Sequence, residues 1–138
     1  QDPFRLFMSV DHPLASAETY DPAWSGQYPW LSSQRLVSTD DKAARYLGHA
    51  RLQGAPEGYD VFDPAIISQI LQRGTFISAW PSMTFRDEVD MGRLHSARIP
   101  VVNGEEWLSE THLVYRRGVQ MTSAMQIAWR TIQALDLS

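Results

Sequence analysis

The stretch from Asp63 to Pro81 constrains the fold most, because it reads as one short helix followed at once by one buried strand. Asp63 is suited to the N-cap, where its carboxylate accepts orphan N–H groups of the first turn and faces the positive end of the helix dipole. Pro64 falls at the first helical position, where a missing N–H costs nothing. Ile66, Ile67, Ile70 and Leu71 recur at helical spacing and predict one apolar stripe. Gly74 is placed to end the helix in a left-handed conformation, with Arg73 in the last turn. Phe76-Ile77-Ser78-Ala79-Trp80 is a short apolar run suited to a covered sheet, and Pro81 stops it. Tyr59-Asp60-Val61-Phe62, just before, predicts a second strand. Strand, helix and strand make a βαβ unit with a right-handed crossover.

The rest of the chain alternates in the same way. Phe4 to Val10 predicts a strand ended by Asp11-His12-Pro13. Asp21-Pro22 marks a helix start or turn, and Tyr28-Pro29-Trp30-Leu31 a short strand opening into Ser32-Ser33-Gln34. A helix is expected from Asp40 to about Leu52, with Ala43, Tyr46, Leu47 and Ala50 toward the core. Past Pro81 come a short helix or turn through Asp90, an extended segment over 97–102, a polar loop at 103–106 and a strand over 111–117. A final helix is expected from Ser123, with Ser123 and Gln126 as a capping box and Met125, Ala128, Trp129, Ile132 and Leu135 on one face. This alternation predicts an α/β fold with a mostly parallel sheet flanked by helices. Ligands of such sheets bind outside the carboxyl ends of strands. Here those ends are Ser32-Ser33-Gln34, Phe62-Asp63-Pro64 and Trp80-Pro81-Ser82.

Composition narrows the function classes. A length of 138 residues gives one domain, or somewhat less than a two-lobed protein needs. No cysteine is present, which removes thiolate metal sites and cysteine nucleophiles. His12, His49, His95 and His112 are scattered without ligand spacing, so no metal and no cofactor is expected. A net charge of −4 argues against these residues gripping nucleic acid by themselves. No apolar run approaches a membrane span and no signal peptide opens the chain, so no membrane partner is expected. The acids Asp87, Glu88 and Asp90 have no paired nucleophile, and a solvated helix face explains them better than acid–base chemistry.

Several landmarks in order resemble the effector-binding domain of LysR-type transcriptional regulators. Asp11-His12-Pro13-Leu14-Ala15 resembles that family's D-H-P-L-A. Val61-Phe62-Asp63 through Gly74-Thr75-Phe76-Ile77-Ser78-Ala79-Trp80-Pro81 resembles its strand–helix–strand ending G-x-G-I-x-x-L-P, with Phe76 in place of the second glycine and Trp80 in place of the leucine. Gly92-Arg93-Leu94 resembles the G-x-L that follows, and Leu113 to Gly118 with the helix from Ser123 resembles the final strand and helix.

The resemblance implies one lobe of a two-lobed, periplasmic-binding-protein-like (type II) domain. Residues 1–112 would form the second lobe, and 113–138 the return strand and C-terminal helix belonging to the first. The first lobe's opening strands, the linker helix and the winged helix-turn-helix of the family have no counterpart here, which implies a piece of a longer regulator. By the same resemblance the chain is not an enzyme, is cytoplasmic, self-associates to a homodimer or tetramer, and reaches DNA only through the missing N-terminal domain. Its partner is a small-molecule effector held between lobes, with Ser32, Ser33, Gln34, Phe62, Asp63 and Pro64 as the effector-binding candidates. A piece of an extracytoplasmic solute-binding protein is the alternative, since its two-lobed architecture is similar.

Overall fold

The computed structural model describes residues 1–31, 45–47, 63–110, 118 and 120–135. Its centre is strand β1 (Asp2–Ser9). Side chains alternate across a strand, so Leu6 and Met8 point to one face and Phe7 to the other. All three are buried, which places apolar cover on both faces. Strand β2 (Ser78–Pro81) lies along one side of β1, with Phe7 opposite Ser78 and Phe4 opposite Pro81. Strand β3 (Leu94–Arg98) lies along the other, with Ser9 opposite Leu94 and Arg5 opposite Arg98. The short β4 (Leu108–Ser109) pairs with Asp2 and Pro3.

Each of these pairings is antiparallel, which corrects the expectation of a mostly parallel sheet. Parallel contacts among the described residues are the isolated bridges Trp30 to Ile77 and Thr19 to Arg98. The physical reason is directional. Alternation of strands and helices sets the class, but a central strand running against both neighbours turns every ladder it makes antiparallel.

Helix α1 (Pro64–Leu71) and helix α2 (Arg86–Asp90), joined through β2 and the 3-10 turn Ser82–Phe85, cover one face. There Phe7, Leu31, Ile67, Leu71, Phe85 and Leu94 form a core. The other core gathers Leu6, Met8, Tyr20, Trp30, Leu47 and Ala97 among others. Trp107 closes its end, stacked on Phe4 at 4.0 Å and on Tyr46 at 5.6 Å between ring centroids. The helical residues 45–47 bring Tyr46 and Leu47 inward as expected, while Ala43 and Ala50 lie outside the described residues.

Local signals were right in kind and sometimes one residue off. Asp63 caps α1 through the Ala65 N–H at 2.9 Å, and Pro64 opens the helix. Gly74 is not left-handed, in contrast to expectation; a Cβ there would stand 3.1 Å from the Phe76 ring, a tight contact that a larger residue would have to relieve by moving that ring. The left-handed helix end is at Gly92 (φ 69°), where Gly92 N–H donates to Val89 O and Arg93 N–H to Glu88 O, a Schellman pair. Asn103 (φ 53°) and Gly104 (φ 80°) form a two-residue hairpin turn in the loop at 103–106. The apolar stripe of α1 divides: Ile67 and Leu71 face the core, whereas Ile66 is half exposed.

Helix α3 (Ser123–Ala134) is capped by Thr122, whose hydroxyl accepts the Met125 N–H at 3.2 Å; the N-cap is thus one residue before the expected Ser123, and with Met125 at the third helical position the expected Ser123–Gln126 capping box is not formed. No residue of α3 is buried, and Met125, Ile132 and Leu135 stay exposed. The strand expected over 111–117 lies outside the described residues.

Replacing Leu6, fully buried at the centre of the sheet, with alanine is expected to lower unfolding free energy by about 3 kcal/mol. Met125→Ala on the exposed stripe is expected to change it by less than about 0.5 kcal/mol. Urea denaturation followed by tryptophan fluorescence compares the two.

Candidate functional site

Of the six effector-binding candidates, Asp63 and Pro64 are described; Ser32, Ser33, Gln34 and Phe62 lie outside the described residues. Asp63 is exposed at the mouth of α1, and one carboxylate oxygen is occupied by the Ala65 N–H. A carboxylate has room for further donors at its remaining lone pairs, so the cap and a contact to a hydrogen-bond donor are compatible.

The neighbouring strand end is built from several anchored groups. Trp80 is half-buried, donates from Nε1 to Ser78 Oγ at 2.8 Å and meets Phe85 edge-on at 5.9 Å. Ser78 is fully buried and its hydroxyl donates a hydrogen bond to Leu31 O at 2.6 Å, which holds the Tyr28–Leu31 segment against β2. At Ser82 the Asp2 carboxylate accepts both the hydroxyl, at 2.5 Å, and the Met83 N–H, at 3.0 Å. The indole of Trp80 is thus committed to packing.

His12 has a structural role. It is buried, its Nδ1 accepts the Leu14 N–H at 3.1 Å, and its Nε2 donates to Thr75 O at 3.1 Å. That pair of bonds sets the tautomer and ties the Asp11-His12-Pro13 turn to the connection between α1 and β2. Burial lowers the His12 pKa, opposed by the Thr75 carbonyl, which favours the protonated ring.

Two grooves were not foreseen. One, about 480 Å³, runs along the outward side of α1 between Ile66, Ile70, Arg73 and Phe76 and is mostly apolar. The other, about 450 Å³ and mostly polar, lies beside β3 and holds Arg5, Arg98, Glu18 and Glu106. Arginine inside the apolar run of β1 was a sequence signal for the second; exposure of Ile66 had no signal at all. The acids of α2 stand where a solvated face was expected, with Asp87 and Glu88 in the first turn and Asp90 at 3.8 Å from Arg86. Among the described residues, no three His, Asp or Glu side chains gather as metal ligands, and no helix is long and apolar enough to cross a membrane.

The family model described as the LysR substrate binding domain matches residues 1–136. The chain belongs to that family. Solved structures agree on the fold. The regulatory domain of MetR, a LysR family regulator from N. meningitidis, in a cysteine-to-serine double mutant, aligns with a TM-score of 0.61 at 16% identity, covering 72% of this chain and 46% of that one. The effector domain of the transcriptional regulator AmpR of Pseudomonas aeruginosa aligns with a TM-score of 0.54 at 18% identity, covering 96% of this chain and 60% of that one. The chain therefore spans about half the length of these domains. No curated protein matches it. The family fold is periplasmic-binding-protein-like (type II).

Because the folded-state pKa of His12 lies below the ordinary value near 6.5, its contribution to stability is complete above about pH 6.5 and is lost as pH falls through the lower folded value. Urea midpoints measured across this range should fall with acidification more steeply in the wild type than in His12→Gln. A pH-independent difference between the two would reject the assignment.

Proposed function

We propose that this chain is part of the effector-sensing domain of a LysR-type DNA-binding regulator, with residues 1–112 as the second lobe and 113–138 as the return strand and helix of the first. The observation that carries this reading is the family match over residues 1–136 in a chain that covers about half of the aligned regulatory domains. A small molecule binds between the two lobes, and Ser32, Ser33, Gln34, Phe62, Asp63 and Pro64 form this lobe's share of the wall. Hydroxyls and an amide at one strand end, and an aromatic and a carboxylate at another, offer both donors and acceptors. Binding favours one relative orientation of the lobes, and a homodimer or tetramer carries that difference in affinity to DNA-reading heads elsewhere in the regulator. The protein acts in the cytoplasm and catalyses nothing. The uncovered Met125, Ile132 and Leu135 stripe supports assigning α3 to the other lobe, because a helix with an apolar face gains stability by covering it.

The test uses the whole two-lobed domain, screened by thermal shift against a library of small organic acids, amines and amino acids. A ligand at about 100 times its Kd adds roughly 2.7 kcal/mol and raises the melting temperature by several degrees. Ser33→Ala, Gln34→Ala and Asp63→Ser are each expected to weaken it about tenfold. Asp63→Ser keeps a good helix cap, so its loss of affinity separates ligand contact from capping. A ligand whose affinity none of these substitutions changes would overturn the assigned wall.

A further inference from the structure

Arg5 and Arg98 occupy directly opposed positions on the antiparallel β1–β3 pair. Residues so placed have Cβ atoms about 5 Å apart, and like charges there repel. Glu18 and Glu106 line the same groove, yet no Arg–Glu pair within it comes to ion-pair distance. Two cations and two anions thus face one open space of about 450 Å³ without neutralising each other directly.

The walls of this space are held by backbone pairing. Arg98 N–H donates to Glu18 O at 2.8 Å, and Arg98 O accepts the Tyr20 N–H at 2.7 Å, so the chain around Glu18 is stitched to the edge of β3. His95 also lines the groove. Its Nε2 donates to Ala17 O at 2.8 Å, which ties the chain before Glu18 to β3. Ser96 adds a hydroxyl.

We propose that this groove binds a small zwitterion of the α-amino-acid type. The carboxylate lies between the two guanidinium groups, whose planar donor forks match its geometry. The ammonium lies toward Glu18 and Glu106. Charge excludes the simpler ligands: a plain anion meets two carboxylates, and a plain cation meets two arginines. The site goes beyond the interlobe reading, since neither Asp63 nor Pro64 lines it.

The 138-residue chain, labelled with ¹⁵N, is titrated separately with L-alanine, propionate and ethylamine while amide shifts are followed. L-Alanine is expected to give saturable shifts at Arg5, Ser96 and Arg98 with a Kd near or below about 1 mM, and the other two probes to bind at least about tenfold more weakly. Arg98→Ala should abolish the alanine response. Glu106→Gln should weaken alanine while leaving propionate unchanged or tighter. Both side chains are exposed, so unchanged spectra elsewhere confirm that the fold persists. No saturable shift up to roughly 50 mM alanine, propionate binding as tightly as alanine, or an Arg98→Ala chain that responds normally would each overturn the proposal.

Discussion

A strand with a core on each face depends on its neighbours for every backbone hydrogen bond, because no water reaches its amides. β1 is in that position, with Leu6 and Met8 in one core and Phe7 in the other. β2 and β3 supply the partners along most of its length, and β4 with Trp107 supplies them at its start. The two helices and the loops are then arranged by which face of this strand they cover. Even the polar anchors serve it: Asp2 binds the turn after β2, and Ser78 fastens a neighbouring segment to β2's own edge.

Among the described residues, buried polar side chains are few and each is paired. Ser78 accepts from one tryptophan and donates to one carbonyl, and His12 uses both ring nitrogens. Groups of this kind contribute less through net bond energy than through the cost of any arrangement that leaves them unpaired. They therefore select one packing of the 12–15 turn, the 28–31 segment and the α1–β2 connection among alternatives of similar apolar burial.

Much of this was legible from local chemistry. The cap at Asp63, the proline after it, the short strand ending at Pro81 and the turn at Asp21-Pro22 are all found, because each depends on residues a few positions apart. What could not be read was direction and environment. Antiparallel pairing of β1 with two strands far along the chain has no local signature, and the backbone angle at Gly74 did not follow its place after the helix. The helix stop at Gly92 was available from the Met91-Gly92-Arg93 spacing but was read only as part of a motif. For the candidate site, sequence supplied the Asp63 turn but missed the groove at Arg5 and Arg98, since facing positions on separate strands are a product of register.

The place of β1 in the sheet has a consequence for how the fold comes into being. Phe7 pairs with Ser78, about seventy residues further along the chain. At a synthesis rate of about 5–20 residues per second, this strand emerges several seconds before its partners exist. During that interval an apolar segment with two unsatisfied edges must be kept from pairing elsewhere, and closing so long a loop is slow in itself. The strand that anchors the finished fold is thus made before all of its partners, and rapid acquisition of the native sheet is bounded by chain emergence and loop closure rather than by helix formation.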